Sequence, residues 1–373
     1  MKRTPIEQER FLQNIGEQRT KRGHNKTSSK KNQHKNKNKK VHKPRSYYNR
    51  WPQLLLPKKF SLADNYGEVI SAISRVRTSI GKKLYIDFDA IRQVDNTSAL
   101  MLAAELEAGR FYSMQSEMVA HNSNWDPKVS DLLKEMGFLE LLSINSATPS
   151  HTVSTKNQVF IKFRSGHKLI GDDPRQLLES MQKYSTTGML IPIELRMHLC
   201  SGIFEAITNT SHHAHNDNYK HLNDKLNRWW ISASINMKKD EIKVVCYDRG
   251  ATIPVTIRNS DKKWKSIQSF WQDLFSQYSD GEIIHAAMEL KRTSTHLEER
   301  GKGLPELLRL IDQNNQGILR IYSGMGMAEF APIKEKKKPK ISKLPKKMCG
   351  TLVEWSIIPS RSTMETSSNG ISH

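Results

Sequence analysis

Residues 1–50 show no repeating pattern of hydrophobic positions; they are rich in Lys, Asn, His and Ser. Such a segment buries too little apolar area to offset its chain entropy, and the pattern predicts a disordered tail. From about Leu54 to Leu142 the pattern becomes α/β. "KLYIDFD" (Lys83–Asp89) sets Leu84, Ile86 and Phe88 on one face with polar residues between them, as a strand does. "VDNTSALMLAAELEAGR" then opens with cap-type residues at Asp95, Asn96, Thr97 and Ser98 before an apolar helix. A short strand at Met118–Ala120 and a helix over "DPKVSDLLKEMGFLELL" complete a βαβα run. A polar stretch, 143–158, leads to a strand at Val159–Phe163 and a helix at Asp173–Lys183 with Pro174 in its first turn. Beyond it, "WWISASINM" and "EIKVVCYD" predict a hairpin across "KKDE", and "GILRIYS" followed by "GMGMAEF" predicts further antiparallel strands. Helices are expected at Trp264–Ser276 and Gly281–Leu290. The whole predicts two α/β units, 51–145 and 159–358, between a basic tail, 1–50, and a disordered tail, 359–373.

Charge changes this picture locally. The chain carries +21. Residues 1–50 hold ten Lys and six Arg against three Glu, and residues 331–347 hold eight Lys against one Glu, so the remainder is close to neutral. The tail's charge suits phosphate backbones, and Tyr47, Tyr48 and Trp51 at its end suit either stacking on bases or docking on the first unit. The 331–347 run reads as a solvated basic loop between strands rather than a nucleic-acid contact. No stretch approaches the roughly 18 apolar residues of a membrane span, and the N-terminus lacks a signal-peptide core. Cys200, Cys246 and Cys349 are far apart with no C-x-x-C pair. A soluble, cytoplasmic protein is the expectation.

The most informative stretch is "FEAITNTSHHAH", Phe204–His215. A helix over Ile193–Ala214 sets Glu205, Asn209 and His213 in one polar stripe, four residues apart each time, and Leu199, Ile203 and Ile207 in another that must face a core. An acid and a small amide aligned beside an apolar stripe suit a site better than a solvated face. His212, His213, His215 and His221 are a poor zinc set, because imidazoles at consecutive helical positions do not converge and no Cys lies near.

The spacing E-x-x-x-N-x-x-x-H-A resembles the N box of the GHKL ATP-binding superfamily, the Bergerat fold of histidine kinases, gyrases and heat-shock chaperones. Three further stretches resemble its other boxes in order. "YDRGATIP" (Tyr247–Pro254) follows a strand and is similar to D-x-G-x-G-I-P, with Asp248 and Gly250 in place and Thr252 at the usual second Gly. "RGKGLPELLRLI" (Arg300–Ile311) is similar to the G-x-G-L box, and "CGTLVEWSI" (Cys349–Ile357) to the final Gly-Thr strand. The polar stretch "KRTSTHLEERG" ahead of Lys302 suits an ATP lid. The resemblance covers about Pro192 to Ile358 and implies ATP and Mg²⁺ as ligands. Asn209 then coordinates the magnesium and His213 completes the N box, while Asp248, Gly250, Thr252 and Thr351 lie around the adenine. Arg300, Gly301, Lys302, Gly303 and Leu304 meet the phosphates at a helix N-terminus, and Glu205 is the proton acceptor.

The strand, "VD", hydroxyl-rich cap and helix order of the first unit resembles STAS-like domains of anti-sigma-factor antagonists, over about ninety residues. In that family a Ser or Thr directly after the Asp accepts phosphate. Here Asn96 stands at that position, with Thr97 and Ser98 beside it, and Asp95–Ser98 read as a helix cap. The two resemblances imply an ATP-driven conformational switch with slow hydrolysis, engaging a protein partner or a second copy of itself. The alternatives are a Ser/Thr protein kinase of anti-sigma type, and a nucleic-acid-binding scaffold with a structural ATP site.

Overall fold

The computed structural model describes residues 45–112, 117–142, 144, 158–167, 176–179, 181, 192–210, 226–271, 277–292 and 303–359. All fall in one compact unit, Pro44–His373. The tails proper, most of the helix expected at 173–183 and the lid segment lie outside the described residues.

The first unit is built on short parallel pairings. β1 (Gln53–Leu55), β3 (Lys83–Asp87) and β5 (Glu117–Val119) form one sheet in the order β1-β3-β5. β2 (Lys59–Phe60) pairs with β4 (Gln93–Val94). Helix α1 (Leu62–Thr78) was not expected from the sequence. Its apolar face, Val69, Ile70, Ile73 and Val76, has helical spacing, but the non-helical backbone at Asn65 interrupts the start. α2 (Asn96–Tyr112) begins as expected: Asp95 Oδ1 accepts the Ser98 N–H at 2.7 Å, and Oδ2 accepts the Leu62 N–H at 2.9 Å. α3 (Pro127–Met136) is capped by Asp126 and stopped at Gly137, whose φ of 94° is open to glycine, and α4 (Phe138–Leu141) follows.

The second unit is a five-stranded antiparallel sheet in the order β6-β7-β8-β10-β9, with β6 at Gln158–Gly166, β7 at Trp229–Asn236, β8 at Glu241–Asp248, β9 at Ile318–Phe330 and β10 at Lys340–Ile357. Both faces are covered, so β7 is buried almost end to end. Side-chain alternation sorts the strands: Trp229, Ile231, Val244, Cys246 and Val353 join one core with α5 (Ile193–Asn209) and α9 (Gly303–Asn314). Trp230, Val245, Tyr247 and Leu352 join another with α1 and α2. α2 lies between the two sheets and is apolar nearly all round, as a fully enclosed helix must be. A third, smaller core gathers α6 (Ile253–Arg258), α7 (Asp261–Trp271) and α8 (Asp280–Arg292).

Three expectations are corrected. "GILRIYSGMGMAEF" is one strand, β9, rather than two. Gly324 and Gly326 do not break it; they admit α8, since a Cβ on Gly326 would lie 2.1 Å from the Gly281 nitrogen. Of the basic run 331–347, Lys340 onward belongs to β10, with Lys340–Lys343 paired to Gly326–Glu329. The register then shifts between Lys343 and Met348, where Pro345 owes no ladder bond. Finally, residues 45–50 belong to the folded unit. Arg45 pairs with Asp87 at 2.7 Å and with Asp89, and Tyr48 is buried against Trp51, Tyr85 and His121. Tyr48 and Trp51 therefore dock on the first unit.

Candidate functional site

Of the expected residues, Asp248, Gly250, Thr252 and Thr351 lie at one end of the sheet, where β8 stops at Asp248. Its carboxyl is buried, with Oδ1 accepting the Gly250 N–H at 2.8 Å, so that the glycine turns the chain tightly beneath it. Thr351 of β10 and Thr210 after α5 lie near enough to act on this carboxyl, while the Thr210 hydroxyl itself donates to the Ala206 carbonyl at 3.1 Å. Burial pushes the group up to about 7, against the opposing pull of Gly250, Thr351, Thr210 and the charge of Arg77. A buried carboxyl raised toward neutrality at a strand end is a candidate for a functional position.

Thr351 sits on β10 opposite Ser323 of β9, and their hydroxyls are 2.9 Å apart. Ser323 Oγ also accepts the Ile253 N–H at 2.9 Å, which fixes the start of α6. Gly350 has φ 87°, and a Cβ there would fall 1.9 Å from the Asp248 carbonyl oxygen, so no other residue fits without moving the Asp248 backbone. Thr252 stands at the N-cap of α6 without capping it, and its buried Oγ1 has no hydrogen-bond partner among the described residues.

α5 brings the other polar groups. Its apolar stripe, Leu199, Ile203 and Ile207, is buried as expected, and Gly202 lets Trp355 of β10 pack close, 3.3 Å from where a Cβ would be. Glu205 and Asn209 are both half-buried, and Asn209 Nδ2 donates to Glu205 Oε1 at 2.9 Å. That leaves Oδ1 as the amide's cation-ligating atom. The next residue, Thr210, ends the helix and acts on the Asp248 carboxyl, so the end of α5 lies near the end of β8.

Gly303 is the first residue of α9, and Leu304 packs between the cores of the α5 face and of α6–α8. Trp355 Nε1 donates to the Leu307 carbonyl at 2.9 Å, tying α9 to β10. His213, Arg300, Gly301 and Lys302 lie outside the described residues. Among the described residues no group of three or more His, Cys, Asp or Glu is clustered for a metal. Mg²⁺ typically takes only one or two protein ligands and completes its shell with phosphate and water, and the Asn209 amide fits that use.

The final Gly-Thr box named Gly350, whereas sequence reasoning missed Thr210 and Ser323 beside the expected residues. It also missed what stands behind Asp248. Arg249 is buried and pairs at 3.2 Å with Glu105 of α2, itself wholly buried and bonded to Arg77 of α1 at 2.6 Å. Tyr247 Oη accepts from Arg77 at 3.0 Å and donates to the Cys349 carbonyl at 2.9 Å. No local pattern signals this network, because its bonded partners lie 28 to 170 residues apart.

Among the described residues no helix is long and apolar enough to cross a membrane. Comparisons of the chain with protein-family models, with curated proteins and with solved structures returned no match.

Proposed function

We propose that this chain binds ATP with Mg²⁺ in the manner of GHKL proteins and acts as a nucleotide-driven conformational switch with slow hydrolysis. One observation carries the reading: the buried Asp248 carboxyl at the end of β8 accepts the Gly250 N–H and lies within the influence of Thr351 and of Thr210, where α5, carrying Glu205 and Asn209 one turn apart, ends. A carboxylate there accepts a hydrogen bond from an adenine amino group, and Thr252 and Thr351 offer hydroxyls beside it. Asn209 would hold the magnesium, which supplies charge neutralisation at the phosphates. Glu205 takes the proton from an attacking water, and its contact with the Asn209 amide fixes where that carboxylate points. Arg300, Gly301, Lys302 and Gly303 would gather the phosphates at the start of α9.

The kinase alternative is limited by burial. Asn96, Thr97 and Ser98 are wholly buried beneath the five-stranded sheet, on the face away from α5. Thr97 bonds the Glu354 carboxylate, and Asn96 accepts from Ser232 Oγ at 2.9 Å. Transfer to Thr97 or Ser98 within the chain would require this layer to leave the sheet, so a hydroxyl acceptor belongs on another protein. The basic segment 1–44 is the part of the chain suited to a polyanionic partner.

Purified protein with γ-³²P-ATP and Mg²⁺, read for free phosphate and for labelled protein, tests the reading. Release of phosphate without labelling supports the switch, and labelling of an added partner supports the kinase. If calorimetry shows no ATP binding by the wild-type chain, the nucleotide reading fails.

A further inference from the structure

Away from the Asp248 site, on the opposite face of the sheet, a cavity of about 370 Å³ opens between α1 and the irregular part of β10. Its volume falls within the range of small-ligand pockets, about 300–1,000 Å³. The wall is apolar on one side, formed by Ile70 and Ile73 of α1 and Met101 of α2. The other side is cationic, with Arg77, Lys346 and Lys347, and no carboxylate lines it. Backbone geometry built this arrangement. β10 slips register between Lys343 and Met348 and again before Thr351, which turns the lysine pair toward α1. There Lys346 Nζ bonds Ser71 Oγ, and the Tyr66 hydroxyl donates to the Lys346 carbonyl at 3.0 Å. The Arg77 guanidinium is fixed from behind by Glu105, through Nε at 3.1 Å and Nη2 at 2.6 Å. Two walls of opposite character, one holding a positioned guanidinium, define what can fill the space.

We propose that this cavity is a binding site for a small amphiphilic anion, a molecule with an apolar aromatic or acyl body and one carboxylate, sulfonate or phosphate head. The body lies against Ile70, Ile73 and Met101. The head meets Arg77 and the Lys346–Lys347 pair, where complementary charge gives specificity. The proposal does not rest on the nucleotide reading, although Arg77, Tyr247 and Cys349 of its wall belong to the network behind Asp248.

The probe is 8-anilinonaphthalene-1-sulfonate, followed by fluorescence with the full-length protein, with N-phenyl-1-naphthylamine as the same body lacking the anion. One saturable site is expected, and the neutral analogue should bind about tenfold more weakly. The double variant Lys346→Glu/Lys347→Glu should weaken the sulfonate by about tenfold or more and leave the neutral analogue unchanged. Ser74→Trp places an indole at the exposed mouth and should abolish binding of both while Tm is unaltered. Bound sulfonate should also slow alkylation of Cys349, an exposed thiol on the cavity wall, read by peptide mass. Equal affinity for charged and neutral probes overturns the anionic part. Binding that survives both the charge reversal and Ser74→Trp, or leaves Cys349 alkylation unchanged, places the dye elsewhere and overturns the site. If Ser74→Trp does not fold, the charge reversal and the Cys349 reading decide.

Discussion

Two buried carboxyls, Asp248 and Glu354, sit on neighbouring strands of the same sheet and face opposite layers. Glu354 points toward α2. Burial pushes its acidity one way, but Lys243 at 3.5 Å, the Thr97 hydroxyl and Arg320 at 3.1 Å outweigh it and hold the group below its ordinary value. Asp248 points toward α5, accepts the Gly250 N–H, and is pushed up to about 7 by burial. A carboxylate paired with two cations is a structural tie. One raised by burial, with no cation paired to it, still has a proton to exchange and an acceptor to offer. On the α1–α2 face the carboxylates are matched by cations, Glu105 by Arg77 and Arg249, and Glu354 by Lys243 and Arg320. On the α5 face the Asp248 carboxyl has no cation paired with it among the described residues.

The largest effect that sharpens this contrast is expected at Glu205. Glu205→Gln keeps the contact with Asn209 possible and removes only the proton acceptor. Phosphate release should fall about 10²–10⁴-fold, with ATP affinity and Tm close to wild type. Full turnover in this variant would move the protein to the non-catalytic scaffold reading.

Glu105 should behave in the opposite sense. Glu105→Ala leaves Arg77 and Arg249 without their shared carboxylate inside the layer, at a cost of about 3–5 kcal/mol, on the order of 10 °C in Tm. Thermal denaturation checks it, and an unchanged Tm would show that the network contributes nothing to holding α1 and α2 on the sheet.

Asp248→Asn comes third. Replacing an ionisable acceptor by an amide removes a charge-assisted hydrogen bond, so adenine-nucleotide affinity should drop about 10–100-fold by calorimetry. Folding should persist, since the amide carries no buried charge. Retained affinity would remove Asp248 from the adenine position.

The sequence made the second unit legible where local patterns carry the information. The β7–β8 hairpin, the buried Leu199–Ile203–Ile207 stripe of α5 and the Asp95 cap of α2 all rest on spacing within a few residues. What it hid depends on distant neighbours. Glycines in "SGMGM" read as a break, yet they are required because Gly281 of α8 arrives against Gly326 and Asp280 against Gly324. Lysines and Pro345 read as a loop, although β9 supplies a pairing edge to Lys340–Lys343. Of the candidate site, Glu205, Asn209, Asp248 and Thr351 could be named from three short stretches, whereas Thr210, Ser323 and the Glu105 network required the fold.

The smallest expected effect is the dependence of binding on pH, and its sign separates the two faces. Asp248 has its folded value raised to about 7, so its contribution to stability is fully present below its unfolded value, about 4, and is lost as pH rises toward 7. Glu354, held below its ordinary value, contributes stability above that value and loses it as pH falls through the lowered one. A ligand amino group that donates to the Asp248 carboxylate selects the ionised form, so affinity should rise with pH through 7. If only the ionised form binds, affinity at pH 6 is about tenfold below that at pH 8. Adenosine is the appropriate probe, because it carries no phosphate to titrate in the same range. Calorimetric titration of the wild type should show this slope, while Asp248→Asn should bind weakly and with no slope. A wild-type affinity that is flat from pH 6 to 8, or that falls as pH rises, would sink the assignment of Asp248 as a carboxylate acceptor for adenine.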